Sequence, residues 1–281
     1  MTGPVNFGRV GQWKKRRSIL LQSMHIDRGQ LKNQAKEKLH KHWGEAILVG
    51  FLPIAIMFIV VIVTIIGAMA VVNTQPDNIK ALQSSGTLMT QTLFSSSVGG
   101  GTNLTDLIVI LLAGVMGAST SIGFLTLWRR EPRQLNPLLR SLIGFRPEYI
   151  GGLLVAYIVI QLIDSIPTLL GLINNPAINV INFVLLFVLL VVDIGLSQTF
   201  LVWKDLRDAN KGGALTAIRI SWQLMAGFKW QYFVMKLSFL GWWILTFLLL
   251  FIPYFWLYPY QSMTYVGFYD ALKSRKPELF A

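Results

Sequence analysis

Apolar residues in this chain gather into runs far longer than a soluble core requires. One extends from about Ala46 to Val72 and contains the unbroken stretch Ile54 to Val63. Others run from Leu107 to Trp128, from Tyr149 to Ile173 and from Ile178 to Trp203. Runs of roughly 18 or more residues with few charges read as membrane helices. A last apolar stretch, Trp230 to Tyr260, has room for one long helix or two short ones, and Pro253 inside it can break a helix or close a hairpin. A further segment, Tyr254 to about Leu272, is the candidate sixth span, although it carries Pro259, Gln261 and Asp270.

Charge sets the orientation. The first 45 residues hold ten Lys or Arg. The connection from Asn73 to Asp106 holds only Lys80, whereas Arg129 to Glu148 and Lys204 to Lys229 hold five basic residues each. Basic loops stay in the cytoplasm, so the N-terminus is expected inside. With six spans, Lys273, Arg275 and Lys276 join the same side, which then carries 23 of the 25 basic residues. With five they lie opposite, against the rule. Trp43, Trp128, Trp203 and Trp230 fall at the expected cytoplasmic helix ends, where indoles prefer the headgroup level. The expected fold class is therefore all-α: a polytopic membrane protein of six transmembrane helices, five being the alternative. They are arranged as three hairpins with amphipathic interfacial helices on the cytoplasmic face. Residues 1–27 form a basic cytoplasmic tail, 28–272 the membrane domain and 273–281 a short cytoplasmic tail.

A faint repeat underlies this layout. Leu31, Ala35, Leu39 and Trp43 share one helix face. Leu135, Leu138, Leu139 and Leu142 form a second stripe, and Ile218, Trp222, Met225 and Phe228 a third. Each precedes a hairpin, as in three copies of one unit, although any loop beside a membrane tends to be basic and amphipathic. The outer connection is rich in Ser, Thr and Gly, and its Asn103-Leu104-Thr105 sequon reads as chance.

Composition narrows the chemistry. Charged residues are 14% of the chain against about 25% in soluble domains, and mean hydropathy is +0.55. The net charge of +12 sits beside apolar runs, so it reads as topogenic and no nucleic-acid partner is expected. Cysteine is absent, which removes disulfides, thiolate metal sites and thiol nucleophiles. His-Glu-x-x-His, Gly-x-Ser-x-Gly and P-loop motifs are missing, so no catalytic residue, metal or cofactor is assigned.

Two stretches carry a family resemblance. The first is Arg28-Gly29-Gln30-Leu31-Lys32, Ala35-Lys36, Leu39 and Trp43 to Ile47. The second is Ser221, Leu224-Met225, Gly227, Lys229-Trp230, Phe233, Leu237 to Trp242, Pro259-Tyr260, Thr264 and Phe268-Tyr269. Together they resemble the bacterial integral membrane family catalogued as domain of unknown function 975. The resemblance implies a multi-pass protein of a bacterial cell membrane and carries no assigned activity. Phe251-Ile252-Pro253 and the tail before Arg28 depart from the family pattern.

The candidate site comes from ionisable residues inside the spans: Asp164, Asp193 and Lys236. A charge at mid-bilayer costs on the order of 2.5–3.5 kcal/mol or more, so such residues usually face the bundle interior, pair and mark pathways. Asp193 lies roughly 16 Å and Lys236 roughly 9 Å from the cytoplasmic end of its helix. They form an expected substrate or proton site, with Asp164 nearer the outer face beside Gln161, Ser165 and Thr168. A structural ion pair or a snorkelling lysine is the competing reading. Gly114 and Ala118 form a small-xxx-small pair suited to helix packing. Lys14, Lys15, Arg16 and Arg17 are candidate contacts for anionic lipid headgroups. The expected partners are the bilayer, with anionic lipids at the cytoplasmic face, and a protein partner or a second copy of the chain. The functional expectation is a small transporter or a membrane subunit of one. The alternative is a non-enzymatic scaffold or lipid-interacting protein.

Overall fold

The computed structural model describes residues 26–74, 104–131, 136–173 and 175–280. The Lys14 to Arg17 cluster and most of the outer connection lie outside the described residues. Among the described residues all regular structure is helical. Helix α1 spans Arg28–His40, α2 Trp43–Thr74, α3 Leu104–Arg129, α4 Pro137–Arg140, α5 Pro147–Asp164 and α6 Ile166–Gly171. Then follow α7 Pro176–Leu196, α8 Thr199–Asp208, α9 Ala214–Met225, α10 Lys229–Leu237, α11 Leu240–Leu248 and α12 Tyr254–Arg275.

Local chemistry sets several of these boundaries. Asp27 caps α1, its carboxylate accepting from the amides of Gly29 and Gln30. Asn175 caps α7 through the amide of Ala177, with Pro176 in the first turn, where a missing N–H costs nothing. Gly227, with φ +87°, turns the chain between α9 and α10 where a side chain would be strained. Between α11 and α12 the reversal falls on Leu250 and Phe251, both left-handed at φ 51° and 64°. Each costs roughly 1–2 kcal/mol relative to a right-handed residue.

Five helical segments are long and apolar enough to cross a membrane: Trp43–Val60, Leu107–Arg129, Pro147–Gly171, Ala177–Asp208 and Lys229–Leu248. The expected sixth segment forms as α12, but it does not join that set. It is instead among the most enclosed helices. Leu257, Pro259, Met263, Thr264, Val266, Phe268, Tyr269 and Leu272 are all buried, and α1, α2, α3 and α9 pack against it. A helix wrapped by protein need not be oily all round.

Helical pairs run antiparallel. Phe239 meets Tyr260 and Tyr265, while Tyr232 meets Tyr265 and Phe268, which aligns α10–α11 with α12. Trp203 lies on Gly152 and Asn182 beside Gly171, which aligns α5–α6 with α7–α8. The tip of the last pair stops early. Phe255 packs on Phe51 at 5.8 Å between ring centres, and Tyr254 borders the same crevice as Gly50 and Ile54. From Ile54, α2 continues to Thr74, about 30 Å further at 1.5 Å per residue.

The amphipathic segments are arranged in a cycle. α1 rests mainly on α12, α4 on α2, the 3-10 turn Ile143–Phe145 on α3, and α9 on α5, α7 and α8. Each thus seats chiefly on a helical pair that comes earlier in the chain or, for α1, on the last one. The α1 stripe holds as expected, with Leu31, Ala35 and Leu39 buried. The second stripe does not. Its helix is a single turn, and Leu138 and Leu139 face outward. That segment is anchored by backbone groups instead: Ser119 Oγ donates to the Ser141 carbonyl and accepts from the Gly144 amide. In the third segment Met225 and Phe228 are buried but Trp222 is exposed, its ring lying on Gly195.

Two of the tryptophans also correct the sequence expectation. Trp128 and Trp203 are only 5% and 6% exposed. Trp203 Nε1 donates to the Tyr149 carbonyl, and Trp128 covers Gly267. Both fill the core rather than a headgroup belt. An indole at a helix end reads the same in sequence whether lipid or protein covers it.

Candidate functional site

The three ionisable residues singled out in the spans are brought together. Asp164 is the last residue of α5, just before the chain bends at Ser165 and restarts with Pro167 in the first turn of α6. The bend swings α6 onto α7, and the Asp164 carboxyl comes close enough to Asp193 on α7 to feel its charge. Lys236, on α10, faces Asp193 close enough to feel its charge, and its Nζ stands 5.3 Å from the centre of the Tyr232 ring. α10 packs on α7 along this edge. Asp164 is half-buried, while Asp193 and Lys236 are exposed on the outer surface of the helices. The arrangement is a polar cluster on the outer surface of α5, α7 and α10.

The Gly114 and Ala118 positions serve packing. The Tyr157 ring of α5 occupies the space a Cβ on Gly114 would need, and Ala118 is buried. His42 pairs with Glu45 at 3.4 Å, and His40 lines a groove described below.

A second cluster was not anticipated. The C-terminal ends of α3, α8 and α12 meet, and Asp205 sits where they join, its side chain 4% exposed. The Arg129 guanidinium grips it with two bonds, of 2.5 and 3.0 Å. Tyr269 OH donates at 2.7 Å and Lys273 Nζ at 2.6 Å. Arg129 also reaches Asp270 at 2.9 Å. One residue earlier, Lys204, 2% exposed, is held by Glu131 at 3.0 Å and Asp208 at 2.8 Å, and Asp208 in turn accepts from Tyr149 OH at 2.5 Å. An open cleft of about 440 Å³ borders Arg129, Asp270 and Lys273. Every charge at its centre is already partnered, so the cluster fastens three helices together. The hint in the sequence is the parallel placement of Trp128-Arg129, Trp203-Lys204-Asp205 and Phe268-Tyr269-Asp270.

A third feature lies under α1. Lys36, His40 and Trp43 line a groove of about 410 Å³ whose far wall is Trp242, Trp256 and Tyr260. On the opposite side of α1, Lys38 donates to the Trp128 carbonyl at 2.7 Å and covers its ring at 4.0 Å. Burial holds the Lys38 ammonium below the usual lysine range, with Asp270 opposing the shift.

The comparisons with known proteins bear on this half of the chain. The family described as Protein of unknown function (DUF975) matches residues 172–276. The chain resembles DUF975 proteins over that segment. It holds α7 to α12, and with them Asp193, Lys236, Asp205 and the aromatic wall of the groove. No curated protein and no solved structure matches the chain. The DUF975 resemblance brings no assigned activity, so chemistry has to be argued from the residues themselves.

Proposed function

We propose that the protein is a small multi-pass transporter, or the membrane subunit of a transport system, that couples its substrate to a proton held by Asp164 and Asp193. One observation carries the reading: two carboxyl groups from different helices lie close enough to feel each other's charge. Two carboxyl groups held close together repel when both are ionised, which favours keeping one proton on the pair. Lys236 is a nearby positive charge that can approach Asp193 when that proton leaves. Intramembrane ionisable groups are by default read as parts of ion or substrate pathways, and the exposure of Asp193 and Lys236 leaves them within a substrate's reach. The setting we propose is a bacterial cell membrane, in line with the family resemblance, with the N-terminus in the cytoplasm, an orientation the basic loops favour.

The reading has a spectroscopic test. Purified protein should show the infrared band of a protonated carboxylic acid, and that band should be lost in both Asp164→Asn and Asp193→Asn. Proton uptake by vesicles containing the protein should fall at least tenfold in Asp193→Asn. If the band survives both substitutions, the shared proton does not exist and the proposal fails.

The layout we propose has four full crossings, made by α2, α3, α5–α6 and α7–α8. The pair α10–α11 and α12 enters from the cytoplasm, turns at Leu250 within the bilayer and returns. The early stop of its tip beside Phe51 supports this, and an even number of passages keeps Lys273, Arg275 and Lys276 with the other cations. The chain has no cysteine, so Leu250→Cys is a clean probe. A membrane-impermeant thiol reagent added outside intact cells should leave Leu250→Cys unlabelled and label a cysteine at Ser95. Labelling of both from outside would mean that the last pair crosses completely.

The alternative, a lipid-interacting protein acting through its basic face, is favoured by the groove under α1.

A further inference from the structure

Helix α1 sets three basic side chains, Lys32, Lys36 and His40, one turn apart on one face. That face looks across a groove to aromatic rings of the last helical pair. Lys32 Nζ donates to Ser238 Oγ at 2.7 Å and stands 4.5 Å from the centre of the Phe239 ring. Lys36 Nζ stands 5.7 Å from the centre of Tyr260. Below them the groove of about 410 Å³ continues between Trp43, Trp242 and Trp256 to the buried Leu257. Trp242 and Trp256 are each about half exposed, so both indoles have a free face. The volume is within the range of small-ligand sites.

Charge and depth point to one kind of occupant. None of the ion pairs among the described residues uses Lys32 or Lys36. Burial and then the like charges of Arg28 and Lys36 hold the Lys32 ammonium below its ordinary range; an anion between them relieves that crowding. Pro253 lines the groove, and the residues just before it in the chain, Leu249 to Ile252, are apolar and exposed, Leu250 at 82%. A site that is cationic at the cytoplasmic end, indole-lined in the middle and oily at the bottom matches the order of phosphate, glycerol backbone and acyl chain in a phospholipid.

We propose that this groove binds one anionic phospholipid of the cytoplasmic leaflet. Lys32 and Lys36 hold its phosphate, and Trp242 and Trp256 flank the start of an acyl chain. The site differs from the Lys14 to Arg17 cluster and does not depend on the transport reading, because it shares no residue with Asp164, Asp193 or Lys236.

The test uses the full chain in detergent. Native mass spectrometry should show one retained phosphatidylglycerol and no retained phosphatidylcholine. Lys32→Ala with Lys36→Ala should weaken phosphatidylglycerol binding roughly thirty-fold, from the usual contribution of a basic residue near a lipid phosphate. Alanine at all four of Lys14, Lys15, Arg16 and Arg17 should leave it unchanged. Brominated-chain phosphatidylglycerol should quench tryptophan fluorescence, and Trp242→Phe with Trp256→Phe should remove most of that quenching. Glycerol phosphate should compete poorly, because it lacks the chain. Equal retention of the two lipids overturns the proposal. So does a loss that follows the tail substitutions instead of Lys32 and Lys36, or competition by glycerol phosphate as strong as by the lipid.

Discussion

Asp205→Ala is expected to destabilise the protein by about 3–5 kcal/mol, the usual cost of removing one partner from a buried ionic cluster. The loss leaves the Arg129 guanidinium with Asp270 alone. It takes the ion-pair partner from Lys273 and the hydrogen-bond acceptor from the buried Tyr269 hydroxyl. It also unfastens α3, α8 and α12 at the point where they converge. Asp270→Ala should behave differently. Its side chain is 40% exposed and pairs with Arg129 alone, a setting in which an ion pair contributes about 1 kcal/mol or less. Urea or thermal unfolding in detergent would measure both. Similar losses for the two variants would show that water screens Asp205, contrary to the packing.

Two neighbouring glycines should give opposite signs. A Cβ on Gly152 would lie 2.0 Å from the Trp203 ring, whereas one on Gly151 meets nothing within 4 Å. Gly152→Ala must push the indole aside, which costs about 1–3 kcal/mol of overpacking. It also strains the bond from Trp203 Nε1 to the Tyr149 carbonyl, itself worth about 1 kcal/mol. Gly151→Ala should stabilise by roughly 0.5–1 kcal/mol, because alanine is the better helix former. The same unfolding measurement decides it. Equal effects at both positions would mean that α5 and α8 do not meet as described.

Asp193 and Lys236 were legible in the sequence because an ionisable residue inside an apolar run stands out by contrast. Their meeting with Asp164 was not, since it depends on the bend at Ser165 and Pro167. Asp205 was illegible for the opposite reason. It sits among Lys204, Arg207 and Asp208, where a charge looks like an ordinary loop residue, and its partners are 64 to 76 positions away. Trp128 and Trp203 misled in the same manner, since a helix end beside protein and one beside headgroups have the same local sequence.

The linear chain by itself determined the helical class, the oily segments and the connections in which the cations gather. Those follow from transfer free energies and charge counts, which add residue by residue. Tertiary structure alone decided which polar groups are shielded. A hydropathy sum treats every side chain as if it faced lipid, so it underrates α12, which α1, α2, α3 and α9 enclose. It is equally blind to tertiary contacts, such as Phe255, just past the turn after α11, packing on Phe51 early in α2.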